Sequence, residues 1–501
     1  MSIFGREFEK DWPLYDFTKN LTNFGYELLQ KCLSVEKPKN KKIEILEFLQ
    51  KSEEFPVEVI PVNTCRVKSQ KIERLPFILR QIESAYPVVH EKVVYLIIDF
   101  LEHKLKYGSS KEKQLYTNMS IADFIQRLLS KRCVTFVDAI DEYLLITGET
   151  GQGDDYLKIG TEEEEEPLVL NKVLSYDEVK ISALLSITSY SEFINEGQRE
   201  NAGRPETDLS KIEREGVVVG LVGARFAREE RMEYEDIQIT QLQNTEENGY
   251  GSRPVKKSYN QEKARDYRRV WNKFYEEQDH LYEEVAIDNK RFGKCFEYEA
   301  IFDNLVMKKR FSIAFDLLLL EANARALRAD KQAYIHVVGI GLGVWLAAPQ
   351  QEKIFMECFQ QRLKYLLPQL NNVGVVHLSW FRLNEWQDLK NGGFLKSKTH
   401  PLGGVTTLIS SRNPNEKLTG PYENMLPVVS FAWDGNALPG NEFWIGSITS
   451  SSDPSAACST LITELYNPHI NTAYVNGNNL YIASPKYGLI HIKDYAEKVL
   501  N

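Results

Sequence analysis

Three carboxylates are spaced for chemistry near the C-terminal third of the chain. Asp434 opens the stretch "DGNALPGNEFW", Glu442 stands eight residues on, and Asp453 eleven beyond that. Two glycines and Pro439 constrain the stretch, and Trp433 and Trp444 can anchor it. Paired carboxylates suit a reaction at an anomeric carbon. One orients or deprotonates a water; the other protonates a leaving group or steadies an oxocarbenium-like transition state. Asn436 and Asn441 could fix ribose hydroxyls. The plain alternative is a polar loop whose Asp and Asn side chains satisfy turn backbone.

Two further stretches suit a phosphate. In "VVGIGLGVW", Gly339, Gly341 and Gly343 follow an apolar run, and glycine lets backbone approach a phosphate closely. A dinucleotide fold would require GxGxxG and an acidic residue closing the next strand. This chain has GxGxG, and its next strand ends in "HLSWF", with Glu385 and Asp388 only beyond it, so a nicotinamide enzyme is discounted. Tight strand–helix packing is the alternative use of these glycines. In "SSSDPSAACSTL", Asp453 suits an N-cap and Pro454 the first helical position. Ser452 and its small neighbours would leave N–H groups open to a diphosphate. The Asp453 charge opposes a phosphate at close range, and capping alone would explain it.

Residues 218–251 are dense in charge. Arg225, Arg228 and Arg231 could hold a phosphate or carboxylate, and Tyr250 could stack on a base. Arginines followed by "EYE" (233–235) suggest an ADP-ribosyltransferase, but no Ser/Thr-rich strand lies between them. Surface ion pairs are the alternative. His336 and His377 fall in apolar runs and read as core residues, and no Ser-His-Asp or HExxH pattern is present.

The elements that must position these residues change character along the chain. Residues 1–150 carry apolar residues at helical spacing and read as a helical N-terminal domain, with one long helical stretch over 120–145. Residues 151–170, Gly-rich with the run Glu162 to Glu166, read as an acidic linker or loop. Residues 171–501 read as an α/β domain. Its strands are expected over 216–226, 232–240, 333–338, 373–381, 404–411 and 426–433. Helices are expected over 261–285, twice within 298–330, over 351–366 and over 454–465. Alternating apolar strands and helices predict a three-layer α/β/α sheet. Ligands of such sheets bind beyond the carboxyl ends of the strands, where the Gly-rich turn and the acidic loop both emerge.

Composition narrows the function. The 501 residues are 43% hydrophobic and 26% charged, a globular profile. A net charge of −10 argues against nucleic acid, which usually meets a clustered basic face. Six cysteines lie far apart with no CxxC and no metal-ligand interval, as expected of free thiols in a reducing cytoplasm. The N-terminus has no apolar signal segment, and the most apolar stretch, 333–349, is short for a membrane span.

Taken together, "VVGLVGARF…MEYEDIQIT…QNTEENGYG" and "AWDGNALPGNEFW…SSSDPSAACSTLITELYNPHIN" resemble the MavL-type macrodomain-like proteins. These are Legionella effectors with eukaryotic relatives, related in fold to poly(ADP-ribose) glycohydrolases. The resemblance covers about residues 217–470. It implies a macrodomain-like sheet that binds ADP-ribose, with no metal or other cofactor, and removes it from a protein side chain, in one case arginine on ubiquitin. It implies three acidic residues at the ligand, carried by order and spacing onto Asp434, Glu442 and Asp453; the middle position is usually Asp. The glycohydrolase signature of a Gly-Gly-Gly run with paired glutamates is missing, which favours removal of single units over long chains. An effector of this kind would act in a host cytosol after secretion. A non-catalytic ADP-ribose reader, and a transferase using the Arg-rich segment, remain alternatives.

Overall fold

The computed structural model describes residues 1–14, 21–38, 43–57, 63–252, 258–297, 299–448 and 452–501; the side chains of residues 63 and 452–454 are outside that description. The fold is mixed α/β. Ten strands form one sheet: β1 (Tyr86–His90), β2 (Leu185–Glu192), β3 (Glu215–Leu221), β4 (Ala333–Val337), β5 (Val373–Ser379), β6 (Gly393–Lys396), β7 (Gly404–Ser410), β8 (Leu426–Ala432), β9 (Tyr481–Ser484) and β10 (Gly488–His491). Their spatial order is β6-β7-β5-β4-β8-β3-β2-β1-β9-β10. The five strands from β7 to β3 run parallel, as β4 pairs with β5 and β8, and β8 with β3. β2 then runs antiparallel to β3. β3, β5 and β8 are buried along nearly their whole length, in keeping with their content of Val, Leu and Phe.

The helices that frame the site are α1 (Glu91–Tyr107), α2 (Ile121–Ser130), α3 (Tyr176–Ser182), α4 (Tyr234–Ile237), α5 (Tyr259–Tyr275), α6 (Asn304–Arg328), α7 (Gln351–Leu366), α8 (Asn441–Trp444) and α9 (Ser452–Ser459). α6 is buried along nearly its whole length, with Asp303 capping it by accepting from the Leu305 and Val306 N–H groups. It crosses the sheet as one helix where two were expected; it is buried on all sides, and its charged residues, among them Arg310, Asp316 and Glu321, are buried in ion pairs.

Further expectations differ from the structure, among them the helix expected over 261–285, which ends at Tyr275. The long helical stretch after residue 120 ends at Ser130, and short antiparallel strands Thr135–Val137 and Glu142–Leu144 follow. Residues 232–240, expected as a strand, instead form α4 and a two-residue strand, because Glu233 is drawn inward by buried arginines. The final helix stops at Ser459 and resumes over Ile462–Leu465.

Among the described residues, the first 150 carry helices that include α1 and α2, and they also supply β1, which pairs with β2 and with β9. One apolar core runs from Phe4 to Ala496. The acidic segment is tied to helices before it. Glu164 accepts from the Gly160 and Leu170 N–H groups and lies 3.3 Å from Lys111 Nζ, and Glu162 accepts from the Ser110 N–H. No helix among the described residues is long and apolar enough to cross a membrane.

Candidate functional site

Asp434 emerges where β8 ends. The β8–β3 pairing continues one residue further, as the Trp433 N–H donates to the Leu221 carbonyl at 2.9 Å. The chain then turns, the Ala437 N–H donating to the Asp434 carbonyl at 3.1 Å. Trp433 is buried and its indole N–H donates to the Ala437 carbonyl at 3.3 Å. The guanidinium of buried Arg132 lies 4.5 Å over its ring.

The remainder of this loop is held by segments distant in sequence. Asn436 Nδ2 donates to the Phe136 carbonyl at 3.0 Å, and the Leu438 N–H to the Cys133 carbonyl at 2.9 Å. At the end of α3, Ser182 Oγ donates to the Gly435 carbonyl. Gly435 has no room for a side chain, because a Cβ would lie 2.7 Å from Ala183 Cα. Asn436, 3% exposed, therefore fastens the loop to the β-ribbon after α2; its amide is not presented to a ribose.

Two groups address the Asp434 carboxyl. Asn441 Nδ2 donates to its Oδ2 at 3.3 Å, and the Arg225 guanidinium, from the loop after β3, acts on it through charge. Burial is the largest influence and raises the carboxyl above its ordinary range; Arg225 and Asn441 pull the other way. Asp434 lies in a wall of protein atoms yet retains some accessible surface, as a group facing a ligand should. Arg225 is itself fixed, with Nη2 donating to the Asp138 carbonyl at 2.9 Å and paired with Asp141 at 2.6 Å. Asn441 Oδ1 is buried and has no hydrogen-bond partner among the described residues.

Glu442 is partly exposed in α8, one residue beyond Asn441. Ser452 and Asp453 lie in the first turn of α9; their side chains are outside the described residues. Helix α9 begins at Ser452, one residue before the expected cap.

The glycines after β4 divide by task. Gly341 has φ +72°, a conformation that disfavours any side chain, and it packs on the loop after β3. A Cβ on Gly223 would lie 2.5 Å from the Gly341 nitrogen. Gln351 Nε2 donates to the Gly341 carbonyl at 2.8 Å. Gly343 is exposed, with nothing within 4 Å of an added Cβ. Gly339 would meet only its own neighbour Leu342.

Tyr250 is placed elsewhere. It is 4% exposed, its hydroxyl donates to the Glu235 carbonyl at 2.9 Å, and Arg268 lies 4.5 Å over its ring. It lines a polar cavity of about 20 Å³ beside α5, enough for water but not for a base. The expected stacking role fails because the ring face is taken.

Sequence reasoning missed Arg310 and Glu233. Arg310, on α6, donates to the Val222 and Ala183 carbonyls at 3.0 and 3.1 Å and to Glu233 at 3.0 Å. Glu233 also accepts from the Arg225 N–H at 3.3 Å. Both are 2% exposed, and together they shape the loop that carries Arg225. "EYE" resembled a failed transferase motif, and Arg310 sat in an apolar helix; only the sheet brings them together. Arg228 pairs with exposed Asp154 at 2.6 Å and lies 3.6 Å from buried Asp141, so the surface pairing expected of these arginines holds in part for Arg228 and not for Arg225, whose partner Asp141 is buried. His336 and His377 are core residues bonded to the Arg412 carbonyl and the Tyr334 hydroxyl, and burial lowers them to about 3 and 4. Among the described residues, no group of three His, Cys, Asp or Glu is placed to hold a metal.

A carboxyl and an amide meet beyond the carboxyl end of β8, with the Arg225 charge acting on the carboxyl, at the edge where ligands of parallel α/β sheets bind. The chain belongs to the MavL-like ADP-ribosylhydrolase family, whose match spans residues 46–498. It is similar to two Drosophila melanogaster proteins. ADP-ribosylarginine hydrolase CG2909 is 49% identical over 502 residues, covering 100% of this chain and 99% of that protein. ADP-ribosylarginine hydrolase CG3568 is 50% identical over 479 residues, covering 95% and 93%.

Proposed function

We propose that this protein hydrolyses the bond between ADP-ribose and an arginine side chain of a modified protein. The observation that carries the reading is the Asp434 carboxyl at the end of β8, faced by Asn441 and by the Arg225 charge. In this reading the sheet is macrodomain-like. The distal ribose lies against Asp434 and Asn441, and the diphosphate crosses the loop of Gly339, Gly341 and Gly343. Cleavage of the C1″–N bond leaves positive charge on the anomeric carbon, which the Asp434 carboxylate stabilises more in the transition state than in the ground state. Glu442 orients the water and takes its proton. The hydroxyl joins C1″, the guanidine regains its proton, and free ADP-ribose departs. Asp453, at the start of α9, is the third carboxylate of the set. Whole-chain similarity to two proteins named for arginine-linked ADP-ribose supports arginine as the acceptor. Ubiquitin is the first acceptor protein to try. None of the six cysteines is in a disulfide, which fits action in a reducing cytosol.

The test is release of ADP-ribose from an arginine-modified protein, comparing wild type with Asp434→Asn. Turnover should fall about 100-fold or more, the scale of a lost electrostatic or acid–base group, with the melting temperature held. Binding of ADP-ribose without release by the wild type would mark a reader and overturn the hydrolase reading.

A further inference from the structure

With Tyr250 buried, the base of the ligand has no platform among the residues read from the sequence. We propose that the indole of Trp380 is that platform, on which the adenine ring of ADP-ribose stacks; this rests on the ligand reading given above.

Three observations converge on it. Trp380 directly follows β5, and the sheet order places β5, β4 and β8 side by side. The last β4–β5 pair is Val337 with Leu378, so Gly339 and Trp380 each stand two residues beyond it. A ligand with its ribose at Asp434 beyond β8 and its diphosphate at Gly339–Gly343 beyond β4 carries its base toward β5. Two strand spacings, roughly 10 Å, separate the β8 and β5 ends, a distance the diphosphate of one extended nucleotide bridges.

Trp380 is also 62% exposed, and it has φ +65°. A bulky residue held in the left-handed region is an outlier that points to function. Here that conformation turns a large apolar ring to solvent, when burying it would have been favourable.

The ring is nevertheless fixed. Its indole N–H donates to the Arg412 carbonyl at 3.1 Å, and that carbonyl also accepts from Ser379 Oγ at 3.1 Å and meets His336 Nε2 at 2.9 Å. One edge is thereby tied to both β4 and β5. A pinned, exposed aromatic is suited to stacking, since little freedom is lost when a base lands on it. Val344, 94% exposed beside Gly343, adds an apolar flank on the neighbouring loop. One rival aromatic, Phe226 after β3, is half-buried and packed edge-on against Phe302 at 5.8 Å.

The experiment is calorimetry with free ADP-ribose on the full chain, for wild type, Trp380→Ala and Trp380→Phe. Trp380→Ala should weaken binding about tenfold or more, the scale of one base–aromatic stack. Trp380→Phe should retain most of the affinity. Unchanged ADP-ribose affinity in Trp380→Ala overturns the subsite, including the case in which only the KM for modified protein rises, which would make Trp380 a contact for the acceptor protein. Wild type failing to bind ADP-ribose overturns the ligand reading itself, and the subsite with it.

Discussion

At the scale of single residues, Asp434 is a carboxyl under opposed influences. Burial raises it, while the Arg225 charge and the Asn441 amide favour its ionised form. If the ionised form is the one that works, activity falls as pH drops through its pKa. Asn441→Ala removes one of the two lowering influences, so the acid limb of kcat against pH should move to higher pH. Arg225→Met should move it the same way and further. A limb that stays in place in both variants would show that another group governs it. The sequence made Asp434, Asn441 and Glu442 legible as one constrained polar loop. It could not show that Asn436 faces the Phe136 carbonyl, or that Arg268 covers the Tyr250 ring, because both depend on partners 300 and 18 positions away.

At the scale of elements, the site is made by the loops after β3, β4 and β8 meeting at one edge. Gly223 and Gly341 are the contact between two of them, and only backbone fits there. Gly341→Ala should cost about 1–2 kcal/mol, the cost of a side chain in the left-handed region. Gly343→Val should leave the melting temperature unchanged, since its Cβ has open space. If the loop's backbone meets the diphosphate, the same Gly343→Val variant should weaken ADP-ribose binding. Chemical denaturation and calorimetry on the two variants separate packing from ligand contact. Unaltered stability in Gly341→Ala would contradict the strain, and unaltered binding in Gly343→Val would leave the glycines as packing alone. Period and punctuation found α7 over Gln351–Leu366 to the residue, and the parallel strands to within a few residues. They failed at 232–240, where alternating "MEYEDIQIT" suits a strand, but buried ion pairs from Glu233 and Asp236 set a helical turn. They failed too at α6, which is buried on every face with its charged residues paired inside and shows no break between Asn304 and Arg328.

At the scale of the whole molecule, the two ends of the chain share one sheet. β1 lies between β2 and β9, and α1 springs directly from it. Composition hid this, because β1 is five residues long and sits between helical stretches. The seam carries a titratable group. Glu91 is 4% exposed at the first position of α1, hydrogen-bonded to Ser484 of β9 and to Tyr495 of the final helix, and burial pushes its carboxyl up to about 7. Its folded pKa thus exceeds its unfolded value of 4.5. Between those values the folded state holds a proton that the unfolded state releases. The contribution is therefore fully present below pH 4.5 and lost as pH rises through 7, by up to about 3 kcal/mol. Glu91→Gln keeps the shape and a group able to hydrogen-bond, without the charge. Its stability relative to wild type should rise between pH 5 and pH 8 by about that amount, read from denaturant unfolding at each pH. Parallel pH profiles for the two proteins would show that the seam closes over an ordinary carboxylate, and that the pH response of the fold arises elsewhere.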